Sequence, residues 1–153
     1  MFIKYNVTLR GRAGKVPFLT KQFEGTCKGN TYPTTLHVID TAINKMGKII
    51  RASTLYRAPG GVLPNEFWAE DETGSCGGVE FAFMSATVVR EVAEEYALRS
   101  PAGVLLEIHQ GLTARGASLQ WISQYPFETE VCFPPLTALT VQGKRAEGSL
   151  LVI

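Results

Sequence analysis

The chain has 153 residues, of which 45% are hydrophobic and 19% are charged. These values are typical of one globular domain and exclude a disordered chain, a collagen-like repeat and a coiled coil. Fifteen Lys and Arg residues against 14 Asp and Glu residues leave a net charge of +1, which favours neither nucleic acid nor a membrane as a partner. We therefore expect a single domain over residues 1–153, with residues 1–28 as its least certain part.

The cysteines and the N-terminus indicate the compartment. Cys27, Cys76 and Cys132 are odd in number and form no Cys-x-x-Cys pair, which favours reduced thiols and predicts no metal site. The chain starts without the apolar run of a signal peptide and has no stretch of about 18 apolar residues. A cytoplasmic protein is the default prediction, and a secreted effector or flanking domains in a longer chain stay open.

The region up to about Tyr32 shows no clear periodicity. Residues 11–15 resemble a phosphate-binding loop only superficially, because that motif needs four residues between its glycines and a Ser or Thr after the lysine. Val16 stands at that last position, so we reject the motif.

The clearest helix is predicted from Thr34 or Thr35 to about Ile50, with a Thr as its N-terminal cap and Gly47 near its end. Apolar residues recur there at steps of three and four, namely Leu36, Ile39, Ile43, Met46 and Ile50. A second helix is predicted over residues 88–98, with Thr87 as cap and a buried stripe of Val88, Val92 and Tyr96.

Most other segments are predicted to be strands. A short strand is predicted over residues 55–57, and Pro59 prevents its continuation. A long loop then runs to Gly78. A single strand is predicted over residues 79–85, and its alternation places Val79, Phe81, Phe83 and Ser85 on one face. Further strands are predicted over 104–108, 118–122, 130–133, 136–142 and 149–153. Helices come early and strands late, which favours an α+β domain with mostly antiparallel sheets over a Rossmann fold.

Two carboxylates carry the chemical interest of the sequence. Glu128 and Glu130 lie two residues apart, and in an extended backbone both point to one side while Thr129 points away. Taken alone, such a pair more often marks the solvated face of a strand than a catalytic site.

The surrounding motifs change that interpretation. Tyr125-Pro126-Phe127-Glu128-Thr129-Glu130, followed by an apolar pair and Pro134-Pro135, resembles the signature of arginine-specific mono-ADP-ribosyltransferases. Leu55-Tyr56-Arg57 is similar to the arginine strand of that family, and Phe83-Met84-Ser85-Ala86-Thr87 is similar to its serine motif. This R-S-E pattern occurs in the family's order, and residues 34–39, 63–68 and 77–81 resemble its microbial branch. The resemblance covers about residues 29–153.

The resemblance implies the ADP-ribosyltransferase fold, in which two roughly perpendicular, mostly antiparallel sheets with helices on the N-terminal side form a cleft for NAD. It implies transfer of ADP-ribose from NAD, the only cofactor expected, to an exposed arginine of a target protein, with release of nicotinamide. By carry-over, Arg57 neutralises the NAD phosphates and Ser85 orients Glu130. Glu130 stabilises the charge that develops on the ribose, and Glu128 faces the acceptor.

The resemblance also implies a set of NAD-binding residues, namely Arg57, Ala58, Phe83, Ser85, Ala86, Thr87 and Glu130. Phe83, like Trp68 and Phe81, could stack on nicotinamide, although we favour core packing for these aromatics. Ala86 replaces the middle threonine of the serine motif, and Ala58 stands where the family usually has glycine. Two alternatives therefore stay open: an NAD glycohydrolase, and a catalytically silent module that binds NAD or ADP-ribose.

Overall fold

A computed structural model describes residues 2–12, 16–111 and 114–153 of the chain. The helices are α1 (Phe2–Arg12), α2 (Pro17–Cys27), α3 (Pro33–Gly47) and α4 (Arg90–Arg99). The strands are β1 (Thr54–Arg57), β2 (Gly77–Glu80), β3 (Met84–Thr87), β4 (Val104–His109), β5 (Ala117–Ser118), β6 (Glu130–Phe133), β7 (Thr137–Thr140), β8 (Arg145–Glu147) and β9 (Leu150–Val152). Two short 3₁₀ helices cover Asn65–Phe67 and Pro126–Glu128. Of the rejected phosphate-loop motif, Gly11 and Arg12 end α1, and residues 13–15 lie outside the described residues.

The described strands form two sheets. Seven of them make one sheet in the order β5-β6-β3-β1-β4-β9-β8, and β2 pairs with β7 in a second sheet. The pairing of β4 with β9 is parallel, and the other pairings are antiparallel. Three of the four described helices precede the first strand. The predicted α+β class, with mostly antiparallel sheets and N-terminal helices, is confirmed.

Apolar clusters cover both faces of the large sheet. Because side chains alternate along a strand, neighbouring residues belong to different clusters: Phe133 packs with Leu55 and with Leu139 of the small sheet, whereas Cys132 packs with Ile43 of α3. Farther along the α3 side of the sheet, α4 packs against Leu105. The large sheet therefore lies between the small sheet and the helices.

The N-terminal region, for which the sequence predicts no element, forms α1 and α2. Pro17 occupies the first turn of α2, where its missing N–H and fixed φ are tolerated, and Lys28 ends the helix in the left-handed conformation with φ of 49°. The two helices approach closely at Gly11, where a Cβ would lie 2.8 Å from the Leu19 carbonyl oxygen. A larger residue at that position would separate the helices.

Two contacts hold α1 against the strands. The Asn6 side chain donates to the Phe83 carbonyl over 3.3 Å and accepts from the Phe83 N–H over 3.2 Å. Arg10 donates to both oxygens of Glu80, at 3.0 and 2.8 Å. The Ala82 N–H also donates to Glu80, over 3.0 Å. Burial alone would raise the pKa of Glu80, but the hydrogen bonds from Arg10 and Ala82 outweigh it and hold that pKa below its usual value.

These contacts show why the single strand predicted over residues 79–85 is wrong. β2 ends at Glu80 and β3 begins at Met84, and the two strands belong to different sheets. The intervening backbone bonds to the side chains of Glu80 and Asn6 instead of continuing one ladder. The predicted common face is lost as well, because Val79 is 48% exposed whereas Phe83 is buried.

Helix α3 confirms the strongest helix prediction with different ends. It begins at Pro33, and its N-cap is Tyr32, so the predicted threonine cap is wrong. It ends at Gly47, where a Cβ would lie 2.7 Å from the Arg115 carbonyl oxygen, and not at Ile50. The close approach of this helix end to the segment before β5 explains the glycine.

Helix α4 exists as predicted, but its predicted buried face and cap are wrong. Val88 and Tyr96 are 39% and 52% exposed, and the buried residues are Ala93 and Ala97. Two small side chains one turn apart let the helix lie close to the sheet. The N-cap is Val89, and Thr87 accepts a hydrogen bond from its N–H over 3.0 Å.

The later strands agree with the prediction to different degrees. β6 has the predicted bounds and β4 runs one residue farther, whereas β7 and β9 are shorter than predicted. The strand predicted over 118–122 is reduced to Ala117–Ser118, and Trp121 beyond it is 73% exposed. The sequence analysis missed β8, whose three residues are too few to show an alternating pattern.

Candidate active site

The end of β1, strand β3, the start of β6 and helix α4 enclose a pocket of about 240 Å³. Its lining residues are Tyr56, Arg57, Ala58, Ser85, Ala86, Thr87, Val92, Ala93, Tyr96, Glu128 and Glu130. The fold thus brings all four predicted catalytic residues to one pocket from separate parts of the chain.

Arg57 presents a half-buried guanidinium to this pocket. Its Nη1 donates to the Ser85 carbonyl oxygen over 2.5 Å. Within residues 2–12, 16–111 and 114–153, no carboxylate lies within 4.0 Å of its nitrogens. Burial is the main cause that lowers the pKa of Arg57. The negative charge of Glu80 raises that pKa, and the positive charge of Arg10 lowers it further. A desolvated cation without a direct counter-ion is suited to bind an anionic ligand.

Ser85, Thr87 and Glu130 lie on one face of the large sheet. Antiparallel pairing of β3 with β6 places Thr87 opposite Glu130 and Ser85 opposite Cys132. Ser85 and Glu130 are therefore diagonal neighbours, whose Cα atoms are typically about 7–8 Å apart. The hydrogen bond from Ser85 to Glu130 that the resemblance implies is not formed within the described residues, so the orienting role of Ser85 stays a prediction.

Cys132 lies on the same face and is a buried thiol. Burial, and after it the negative charge of Glu130, raise the pKa of Cys132 to about 12. The thiol is thus protonated at neutral pH and provides packing volume, not a nucleophile.

Glu128 reaches the pocket by a route that the sequence analysis did not predict. The extended geometry assumed for Glu128 and Glu130 is wrong, because Glu128 ends the 3₁₀ helix Pro126–Glu128 and β6 begins only at Glu130. Thr129 between them has φ of 47°, a left-handed conformation that is unusual for a β-branched residue. The chain turns at Thr129, and both glutamates still line one pocket.

Two hydrogen bonds fix Glu128. The buried Thr87 hydroxyl donates to the Glu128 carbonyl oxygen over 2.5 Å, and the Tyr96 hydroxyl donates to Glu128 Oε1 over 3.0 Å. The contact with Glu128 raises the pKa of Tyr96, which keeps the phenol a donor at neutral pH. The sequence analysis assigned Tyr96 to the core, so it missed the part that α4 takes in the site.

The other predicted NAD-binding residues divide into two groups. Ala58 and Ala86, the two departures from the family pattern, both line the pocket, although the Ala86 side chain packs in the buried cluster of Leu55 and Val131. Phe83 does not line it, and is buried in the cluster with Ile43, Ala117 and Cys132. Its position agrees with the core-packing interpretation.

A larger cavity, of about 880 Å³, lies between β4 and β7 and contains none of the four predicted catalytic residues. Its charged side chains have partners, as where Arg145 donates to Glu107 over 2.7 Å. The resemblance implies a site in a cleft between the sheets, but the predicted residues line the pocket beside α4. We assign the site to this smaller pocket, because it collects an uncompensated guanidinium and two carboxylates.

Within the part of the chain that the structure describes, no three His, Cys, Asp or Glu side chains come together to hold a metal ion. In the same residues, no helix combines the length and the apolar character needed to cross a membrane.

Known structures share this architecture, although no protein-family model and no curated protein matches the sequence. The ADP-ribosyltransferase HopU1 of Pseudomonas syringae pv. Tomato DC3000 is 21% identical, with a TM-score of 0.68 over 97% of this chain and 61% of HopU1. The ADP-ribosyltransferase Vis from Vibrio splendidus, in complex with agmatine, is 20% identical, with a TM-score of 0.63 over 97% of this chain and 66% of Vis. The eukaryotic mono-ADP-ribosyltransferase ART2.2, in complex with NADH, is 17% identical, with a TM-score of 0.58 over 99% of this chain and 64% of ART2.2.

This chain has the ADP-ribosyltransferase fold. The fold predicted from the motifs is thereby confirmed. The matches cover 97% or more of the chain and so extend into the N-terminal helices that the sequence analysis could not read. The chain spans only about 61 to 66% of the length of these three structures.

Proposed function

We propose that the chain is an NAD-dependent mono-ADP-ribosyltransferase that modifies an exposed arginine of a target protein. The observation that carries the proposal is the convergence of Arg57, Glu128 and Glu130 on one pocket, with the Arg57 guanidinium free of any direct carboxylate partner among the described residues. The structural neighbours support it, because they are ADP-ribosyltransferases and one was solved with NADH.

The pocket fits the reacting part of NAD. Among the described residues that line the pocket, Arg57 is the one cation, and a guanidinium can form forked, charge-assisted hydrogen bonds with phosphate oxygens. Every fully buried side-chain nitrogen of the described residues has a partner, so the Arg57 nitrogens that make no hydrogen bond to these residues are not fully buried. A volume of about 240 Å³ is below the range of about 300–1,000 Å³ for whole-ligand pockets, so the pocket accommodates only part of a dinucleotide.

Glu130 is the residue that stabilises the transition state of the reaction. When NAD is bound, it supplies a ribose whose bond to nicotinamide breaks with positive charge developing on the ring. The Glu130 carboxylate has no hydrogen bond or ion pair with other described side chains, so it can interact with that charge without losing a protein contact. Since the charge is greater in the transition state than in bound NAD, this interaction accelerates the chemical step.

Glu128 is the residue that receives the acceptor. The nicotinamide leaves with the bonding electrons, a guanidine nitrogen forms the new bond to the ribose carbon, and Glu128 takes the proton which that nitrogen loses. The carboxylate also pairs with the guanidinium before the reaction. The complex of Vis with agmatine, a small guanidino compound, supports an acceptor of this class for this chain.

The proposal is tested with NAD labelled in the adenylate portion and with agmatine as acceptor. We expect labelled ADP-ribosyl-agmatine from the parent protein, together with at least an equal amount of free nicotinamide. Glu130→Gln should reduce both products by about 100-fold or more, because the uncharged amide cannot stabilise a cation equally well. Glu66→Gln is the matched control, since Glu66 is exposed and outside the pocket.

The products distinguish the open alternatives. Nicotinamide released without ADP-ribosyl-agmatine would replace the transferase by an NAD glycohydrolase. Binding of NAD in a calorimeter without any nicotinamide release would indicate a silent binding module. Equal activity of the Glu130→Gln variant and the parent would refute the site assignment.

A further inference from the structure

The two glutamates of the pocket differ in how firmly they are held. Glu128 is bound through its main chain by Thr87 and through its side chain by Tyr96, at 2.5 and 3.0 Å. Among the described residues, the Glu130 carboxylate has no comparable side-chain contact. The structure thus fixes the acceptor carboxylate before any ligand binds.

The element that carries Tyr96 is rigidly attached to the sheet. Ala93 and Ala97 of α4 are buried and pack against Leu105 and Val152. Glu128, in contrast, belongs to a three-residue 3₁₀ helix and precedes the left-handed Thr129. The hydrogen bond therefore connects a side chain on a short turn to a packed helix.

We propose that Tyr96 is a positioning residue that directs Glu128 toward the acceptor, and so sets the ratio of transfer to a guanidinium over hydrolysis by water. The phenol uses Oε1 and leaves Oε2 for the incoming guanidinium. Without this donor the Glu128 side chain rotates toward solvent. Binding of an acceptor must then also order the Glu128 side chain, and the lost conformational entropy weakens binding. Hydrolysis needs no guanidinium partner and does not depend on this orientation. The inference rests on the proposed function.

The kinetic test compares Tyr96→Phe with Tyr125→Phe. Tyr125 is the matched control, because it is 50% exposed against 52% for Tyr96 and its hydroxyl makes no hydrogen bond to described residues. In Tyr96→Phe, we expect kcat/KM for agmatine to fall about tenfold or more, since a hydrogen bond to a charged group is lost. The KM for NAD and the rate of NAD hydrolysis without acceptor should change by a smaller factor, so that the ratio of transfer to hydrolysis falls. Tyr125→Phe should match the parent in all three quantities.

A second measurement tests the contact without requiring activity. The phenol carbons of ¹³C-labelled tyrosine are titrated by NMR, and the Tyr96 signal is assigned from its loss in Tyr96→Phe. Because Glu128 raises the pKa of Tyr96, that pKa should be lower in Glu128→Gln than in the parent. An equal Tyr96 pKa in both proteins would show that the contact is absent in solution.

The outcomes separate the two proposals. An active parent whose Tyr96→Phe variant transfers to agmatine equally well refutes the positioning role alone. A variant that loses transfer and hydrolysis by the same factor also refutes it, because Tyr96 would then support the fold of the pocket. A parent with neither activity refutes the proposed function and the transfer ratio with it, while the NMR titration still reports on the contact.

Discussion

The hydroxyl of Thr87 offers a sharp test of how the pocket is built. It donates to the Glu128 carbonyl oxygen over 2.5 Å and accepts from the Val89 N–H over 3.0 Å, in a side chain only 7% exposed. Thr87→Val keeps the shape and removes both bonds, each of which contributes about 0.5–1.5 kcal/mol net. The added apolar burial offsets about 1 kcal/mol of that loss. We therefore expect the free energy of unfolding to fall by up to about 2 kcal/mol and the Tm by up to about 8 °C.

Thr87→Ser is the control, because it keeps the hydroxyl and loses one methyl group, at a similar cost of about 1 kcal/mol. Stability thus changes to a similar degree in both variants, and activity should separate them. Urea unfolding followed by circular dichroism gives the free energies, and transfer to agmatine gives the activity. Transfer should fall about tenfold in Thr87→Val, because Glu128 is no longer held, and stay within about twofold of the parent in Thr87→Ser. Equal transfer by the two variants would refute the view that this hydroxyl positions Glu128.

Three further predictions concern Arg57 of the pocket and two residues outside its lining, Glu80 and Cys132. Arg57→Lys should weaken NAD binding at least about tenfold in calorimetry, because an ammonium cannot form the forked contact with phosphate; unchanged affinity would contradict that role. The pKa of Glu80 is held below its usual 4.5, so its stabilising effect is complete above about pH 4.5 and is lost as the pH falls through the folded value. Glu80→Gln should therefore flatten the acid decline of the urea midpoint, and an unchanged decline would argue against the Arg10 contact. Because the pKa of Cys132 is raised to about 12, a thiol reagent at pH 8 should leave it unmodified in the native protein and modify it in urea, as read by peptide mass spectrometry.

The sequence motifs indicated which residues line the candidate pocket, but not the geometry by which they reach it. Arg57, Ser85, Glu128 and Glu130 were proposed because short motifs keep their order and spacing, and all four line one pocket. The reasoning from an extended Glu128-Thr129-Glu130 segment failed, because the left-handed turn at Thr129 has no signal in a β-branched residue. The two glutamates meet through a turn, not through strand alternation.

Helix α1 could not be predicted from its own sequence, because distant residues hold it in place. Asn6 bonds to Phe83, 77 positions away, and Arg10 bonds to Glu80, 70 positions away. Neither partner can be inferred from the helix sequence itself. Helix α3 could be predicted without knowledge of its partners, since apolar residues at steps of three and four indicate its buried face.

Tyr96 was missed for a related reason. Val92 and Tyr96 are four residues apart, a spacing equally typical of a core stripe, and the structure instead buries Ala93 and Ala97. Only the packing of α4 on the sheet determines which of two adjacent faces is hidden.

Because of the left-handed turn at Thr129, the two glutamates of the proposed site are positioned by different parts of the structure. The pairing of β3 with β6 positions Glu130, whereas the three-residue 3₁₀ helix Pro126–Glu128, which lies outside that pairing, positions Glu128. Substitutions or insertions in that 3₁₀ helix can therefore alter the choice of acceptor while Glu130 keeps its position in the sheet. Under the roles proposed here, target choice and nicotinamide release can diverge independently during evolution.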